Sequence, residues 1–210
     1  MPTDAPDVPD QLNIIDATPL DMLASRRSVL AAQLIEPGPQ PEELDRMLDV
    51  AVRVPDHGRM TPWRLQVICK EAQAELGELF VDEFRKTEPD AKNDRLELER
   101  VRPQRAPVLV VVSSRITPDR DGVPPVEQLL SCGNVCFNLL HAATAMGYGA
   151  QWVTNWPSYN AAVKAALSIP DEEHLVGFVH IGTPKGPPSE RQRPETASVV
   201  SRVESLAAIA

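Results

Sequence analysis

Arg26, Arg27 and Ser28 stand together in the chain, two guanidiniums and a hydroxyl that can grip a dianionic phosphate through charge-assisted, bidentate hydrogen bonds. A second basic cluster, Lys185, Arg191 and Arg193, follows the run HIGTP, where a strand end and a loop can form an anion site. For both clusters the alternative is a solvated surface, the commonest setting for arginine. PDHGRMTPW, residues 55–63, contains two prolines and a glycine and so reads as a loop with a sharp turn. His57 in it is either a loop histidine with an internal partner or a donor to a bound ring. Trp63, at its end, reads as a core anchor.

Other chemistries find less support. Cys132 and Cys136 lie four apart in an apolar stretch, which suits reduced thiols filling a core. His57, His141, His174 and His180 have no companion spacing such as HExxH or a second CxxC, so no metal is expected. There is no GxGxxG, and therefore no dinucleotide site of the Rossmann type.

The elements that must position these residues alternate between helix and strand. A helix from Pro19 runs into the charged turn at Ser25–Ser28, and Pro41, Glu42 and Glu43 open a second that stops near Arg53–Pro55. RLQVICK alternates as a half-buried strand, whereas VLVVVS, residues 108–113, is a run suited to a strand buried on both faces. Residues 71–102 read as two charged helices or a helix and a mobile excursion, interrupted at EPDAKND, and the polar stretch 82–102 suits a lid. Val126–Met146 is apolar nearly all round and reads as a buried helix. GYGAQWV, an amphipathic helix over 158–167 and the strand LVGFVHIGTP follow. This order implies an α+β fold with helices on a mainly antiparallel or mixed sheet.

At 210 residues, with 42% hydrophobic and 24% charged, the chain suits a single globular domain over 19–195, between a flexible arm at 1–18 and a tail at 196–210. A net charge of -9 argues against nucleic acid and acidic lipid surfaces as partners. No apolar run is long enough to span a bilayer and MPTDAPDVPD lacks the features of a secretion signal, so a cytoplasmic protein is expected.

Taken in order, RRS near the N-terminus, a proline seven residues before PW, and a small-residue helix closing on GYGAQW resemble the flavin-dependent nitroreductases. The resemblance runs from Met22 to Arg193, includes the GTP turn with its basic loop, and is similar to a compact subgroup carrying PDH rather than PSS. It implies an interlocked α+β homodimer with the long apolar helix at its core and two FMN sites at the subunit interface. Arg26, Arg27 and Ser28 would hold the FMN phosphate and ribityl chain, with Arg193 as a second phosphate ligand. Arg53, Pro55, Asp56 and His57 would reach the flavin from the partner subunit, Gln151, Trp152 and Val153 would line the isoalloxazine, and Gly182 would let the chain pass close to the phosphate.

The activity implied is electron transfer from NAD(P)H through FMN to nitroaromatics, quinones or similar small acceptors by a ping-pong scheme, with hydride delivered to flavin N5 and no catalytic side chain. Two departures stand out: Leu30 where many relatives carry lysine, and Arg59 where others carry asparagine. Arg53 or a backbone amide is then left to stabilise the reduced flavin's N1 edge. The rival readings are another flavin reaction on the same scaffold, such as dehalogenation or flavin fragmentation, and a dimeric binding protein without catalysis.

Overall fold

The computed structural model describes residues 18–118 and 122–204. The expected arm lies outside the described residues except for Thr18, which caps the first helix. Its hydroxyl accepts from the Asp21 amide while the Asp21 carboxylate accepts from the Thr18 amide, which opens α1 (Pro19–Ser25). After β1 (Leu34–Ile35), Gln40 and Glu43 cap α2 (Pro41–Ala51) in the same reciprocal way, and Pro41 sits where its missing N–H is not needed. β2 (Trp63–Ile68) is followed by α3 (Lys70–Thr87) and α4 (Asn93–Arg100), the two helices expected on either side of EPDAKND. Then come β3 (Val108–Ser114), α5 (Pro125–Ala145) and β4 (Gly149–Val153). The helix expected over 158–167 is broken in two, α6 (Trp156–Tyr159) and α7 (Ala161–Ala166), because the Asn160 side chain accepts from the Val163 amide and starts a new helix. β5 (Leu175–Pro184) completes the sheet.

Every strand pairing is antiparallel. β5 has β3 and then β2 on one side; on the other it pairs first with β4 and, at its end, with β1. The β-branched run of β3 behaves as its composition requires. Val110 and Val112 pack with Met47, Cys136 and Leu139 of α2 and α5, while Leu109 and Val111 face Leu76, Phe80 and Val163 of α3 and α7. Burying each such side chain contributes roughly 1.5–3 kcal/mol, so the sheet is held by two apolar layers.

Two expectations need correction. α5 is not buried all round: Val126, Leu130 and Phe137 are 61%, 63% and 45% exposed, and their spacing puts them on one stripe. The sheet and α2 cover the opposite side of the helix, and the stripe is left open among the described residues. The polar stretch leading to Arg102 is not a loose lid either. Glu99, with no exposed surface, accepts from Arg95, Arg102 and the Trp156 indole, and Leu96 packs with Val81 and Phe84, so α4 is pinned to the body.

Candidate functional site

The structure brings Arg26, Arg27 and Arg193 together from opposite ends of the chain. Arg27 Nε donates to the Ser189 carbonyl at 3.1 Å and lies 3.5 Å from Glu190 Oε1; Arg193 Nε is 3.5 Å from the same oxygen. The Arg26 guanidinium carbon stands 5.8 Å from the Phe137 ring centroid. Burial first, then the charges of Arg193 and Arg27, hold Arg26 below its ordinary value, which places three cations in mutual range. Glu190 is drawn below the usual carboxylate range by the Arg191 amide first and by Arg27 and Arg193 with it. Glu190, one exposed carboxylate, pairs with Arg27 and Arg193 while Arg26 adds a third positive charge nearby, an excess suited to a dianion. Ser28 is exposed beside this cluster and its hydroxyl makes no hydrogen bond among the described residues, whereas Lys185 is drawn toward β1 by its amide bond to Gln33.

From the cluster the chain runs along the outer edge of β4. The Val29 amide donates to the Ala150 carbonyl at 3.1 Å, and the Ala31 amide to Gln151 Oε1 at 2.6 Å. A cleft of about 230 Å³ opens here, between Leu30 of this segment, Gln151 and Val153 of β4, His180 of β5, and Arg102 and Arg105 ahead of β3. His180 is buried, its Nδ1 has no partner among the described residues, and burial, helped by Arg105 and Arg102, pushes it down to about 4, so it is neutral at pH 7.

Trp152 is not brought into the cleft. Side chains alternate along a strand, so the indole between Gln151 and Val153 points to the other face, where Nε1 donates to the Val176 carbonyl at 3.1 Å. The ring lies over Gly177, where a Cβ would come within 2.0 Å of Nε1. Gly182 is also occupied by the chain itself: a Cβ there would meet Pro107 Cδ at 2.6 Å.

The loop at Arg53–His57 sits elsewhere on the same chain. The Asp56 carboxylate accepts from the amides of Met60 and Thr61 at 3.0 and 2.9 Å, fixing a turn in which Arg59 and Thr61 hold φ of 52° and 48°. The Pro55 carbonyl accepts from the Ser131 hydroxyl at 2.7 Å, His57 Nδ1 lies 2.6 Å from Glu127 Oε2, and the Arg53 carbonyl accepts from Asn138 at 3.3 Å. His57 therefore stands at the first turn of α5, whereas Arg26 stands at Phe137. Ten helical residues separate the two contacts, about 15 Å along the axis. Within one chain the histidine and the arginine cluster do not meet.

Arg102 and Arg105 escaped the sequence reading because they lie in a stretch where arginine usually faces solvent. The signal was their position: two guanidiniums placed just ahead of a strand buried on both faces must emerge at the sheet's end. Arg102 is bonded to Glu99 through Nε and Nη2 at 2.7 and 2.8 Å. Arg105 has only a bond from Nη2 to the Leu98 carbonyl at 3.3 Å among the described residues.

Cys132 and Cys136 are core groups, their thiols pushed up to about 12 by burial. No three His, Cys, Asp or Glu residues among those described are grouped to hold a metal, and no described helix is long and apolar enough to cross a membrane.

Comparison with known proteins agrees with this geometry. The model of the Nitroreductase family matches residues 23–183. "Putative NAD(P)H nitroreductase YdjA" of Escherichia coli (strain K12) is 32% identical over 168 residues, covering 79% of this chain and 88% of the relative. Among solved structures, a nitroreductase-like family protein from Bacillus cereus superposes with a TM-score of 0.74 at 19% identity, over 89% of this chain and 96% of its own. A point mutant of the FMN and NADPH-dependent nitroreductase NfnB, derived from Sphigopyxis sp. strain HMH, superposes with a TM-score of 0.66 at 18% identity, over 89% and 99%. A cluster of arginines beside a cleft on an antiparallel sheet, with a family match over most of the chain, leads to one assignment: the chain belongs to the nitroreductase family.

Proposed function

We propose that this chain is an FMN-dependent oxidoreductase that works as a homodimer and reduces small electron-poor molecules, nitroaromatics or quinones, with NAD(P)H. The observation that carries the reading is the convergence of Arg26, Arg27 and Arg193 beside the cleft floored by Gln151 and Val153. The residues present fit the cofactor. Arg27 and Arg193 share a single exposed carboxylate, which a phosphate dianion would displace, Arg26 adds a third cation beside them, and the unpartnered Nδ1 of His180 marks a polar cavity wall. Bound FMN supplies a two-electron carrier that alternates between donor and acceptor in a ping-pong cycle.

The chain's own contribution is to bind and orient. Arg26, Arg27, Ser28 and Arg193 hold the phosphate end; Gln151 and Val153 present the ring's floor, with the Trp152 backbone between them. Gly182 keeps β5 tight against Pro107 at the end of that floor. At about 230 Å³ the cleft is below the roughly 300–1,000 Å³ of a complete small-molecule site, which fits a site finished by a second subunit. The preformed loop of Arg53, Pro55, Asp56 and His57, remote from the cleft in its own chain, is the piece to finish it. The exposed stripe of α5 is the surface that brings it there.

The test is the visible spectrum of purified protein supplied with FMN, then given NADPH and a nitroaromatic without oxygen. Flavin bands that bleach with NADPH and return with the nitroaromatic are expected. Protein that retains no flavin refutes the reading, and bands that bleach without returning favour a different flavin reaction on this scaffold.

A further inference from the structure

Resting on the FMN reading above, we infer that Arg105 is the cation that stabilises the reduced cofactor in this protein, from a position that no recognised motif of the sequence marks. Three observations on the cleft carry this. Arg105 lines it together with Gln151, Val153 and Leu30, the walls assigned to the ring. Its charge is the one left over there: Glu99, the carboxylate of this cluster, is occupied by Arg95 and by two bonds from Arg102. Its five N–H donors are committed, among the described residues, to a single carbonyl at 3.3 Å, so the rest are free to face a ligand. Arg102, the other cation on the wall, is tied to Glu99 through Nε and Nη2. Leu30 is aliphatic, and His180 is buried beside two arginines that keep its ring neutral. Burial, and then the charge of Arg102, make the Arg105 guanidinium uneasy in the free protein, a condition that an anion would relieve.

Hydride transfer from NAD(P)H moves two electrons and one proton and releases NAD(P)⁺, so the ring gains one negative charge. A fixed guanidinium at the cleft wall favours that form over the neutral oxidised ring, and it does so without reorganising. Arg105 therefore acts on the cofactor's potential more than on its retention.

The experiment compares FMN-loaded wild type with Arg105→Gln, Arg105→Lys and the double variant Arg105→Gln/Leu30→Lys. The readouts are the midpoint potential by spectroelectrochemistry and the Kd of oxidised FMN by fluorescence quenching. Arg105→Gln is expected to weaken binding of reduced FMN about tenfold more than of oxidised FMN, a fall of about 30 mV for a two-electron couple. Arg105→Lys is expected to keep most of the potential. Leu30→Lys, placing a cation on the opposite wall of the same cleft, is expected to restore it in the double variant, which a purely structural role for Arg105 would not allow. If Arg105→Gln does not fold, Arg105→Met removes the charge while keeping the chain length. A flavin-loaded neutral variant with the wild-type potential overturns this inference alone; wild type that binds no FMN overturns the cofactor reading with it.

Discussion

Replacing Glu99 by glutamine is expected to cost about 2–3 kcal/mol. The carboxylate accepts from Arg95, from Arg102 at 2.7 and 2.8 Å and from Trp156 Nε1 at 3.0 Å, with no exposed side-chain surface of its own. Glutamine keeps one acceptor oxygen but turns an NH₂ toward guanidinium donors and removes the counter-charge of two arginines. Breaking a buried pair from one side costs roughly 3–5 kcal/mol. Here Arg95 and Arg102 are 40% and 18% exposed, so water recovers part of the loss. At roughly 2–4 °C per kcal/mol for a chain of this length, the melting temperature should fall by roughly 5–10 °C at pH 7. The pH dependence adds a second check. Burial alone would raise the Glu99 carboxyl, but the bonds from Arg102 and Trp156 outweigh it and hold it below its ordinary 4.5. A depressed carboxyl contributes stability that is complete above the unfolded value and is lost as pH falls through the folded one. The gap between wild type and variant should therefore be constant from pH 7 to about 5 and close below about 4.5. Thermal unfolding followed by circular dichroism, at matched protein and FMN concentrations, measures both. A gap under about 1 kcal/mol at pH 7, or one that persists unchanged to pH 3, refutes the reasoning.

Three further outcomes follow from the site and its surroundings. His180, with its folded value near 4 against an ordinary 6.5, leaves the unfolded chain binding more protons between those limits, so stability falls as pH drops from about 6.5 to 4. His180→Gln should flatten that part of the curve, and urea titrations across the range will show whether it does. Arg26→Ala should loosen FMN by roughly 10- to 100-fold through loss of a charge-assisted phosphate bond, yet leave riboflavin, which has no phosphate, little changed. Equal losses for both flavins in fluorescence titration would place Arg26 away from the phosphate. Leu130→Glu, on the exposed stripe of α5, should turn a dimer into a monomer in light scattering after gel filtration, and a dimer that survives would move the subunit interface to another surface.

Much of the fold was legible because its elements state their own environment. The unbroken apolar run of β3, Val108 to Val112, announced a strand covered on both sides, and Pro41 with its acidic neighbours announced a helix start. Arg26 and Arg27 stood out as a basic pair because they sit side by side; Arg193 was named with them by the resemblance alone, and the fold brings the three together. What was not legible depended on direction. Three successive residues, Gln151, Trp152 and Val153, look alike as a motif, but the pleat sends the middle one to the opposite layer. Polarity likewise misled at 93–102, where charge that reads as solvated is buried around Glu99. An all-apolar helix is ambiguous by composition, since covering by the same chain and covering by a second copy leave the same residue pattern.

The two-sidedness of β4 reaches beyond the cleft. Positions 151 and 153 face the cleft and position 152 locks the indole into the α5 layer, so neighbouring residues serve different faces of one strand. Under the proposed function, changes at 151 or 153 would reshape the cleft without touching the α5 layer on the other face, and Trp152 can stay fixed while they vary. A strand so divided lets a lineage explore new chemistry one residue at a time on a scaffold that does not have to be rebuilt.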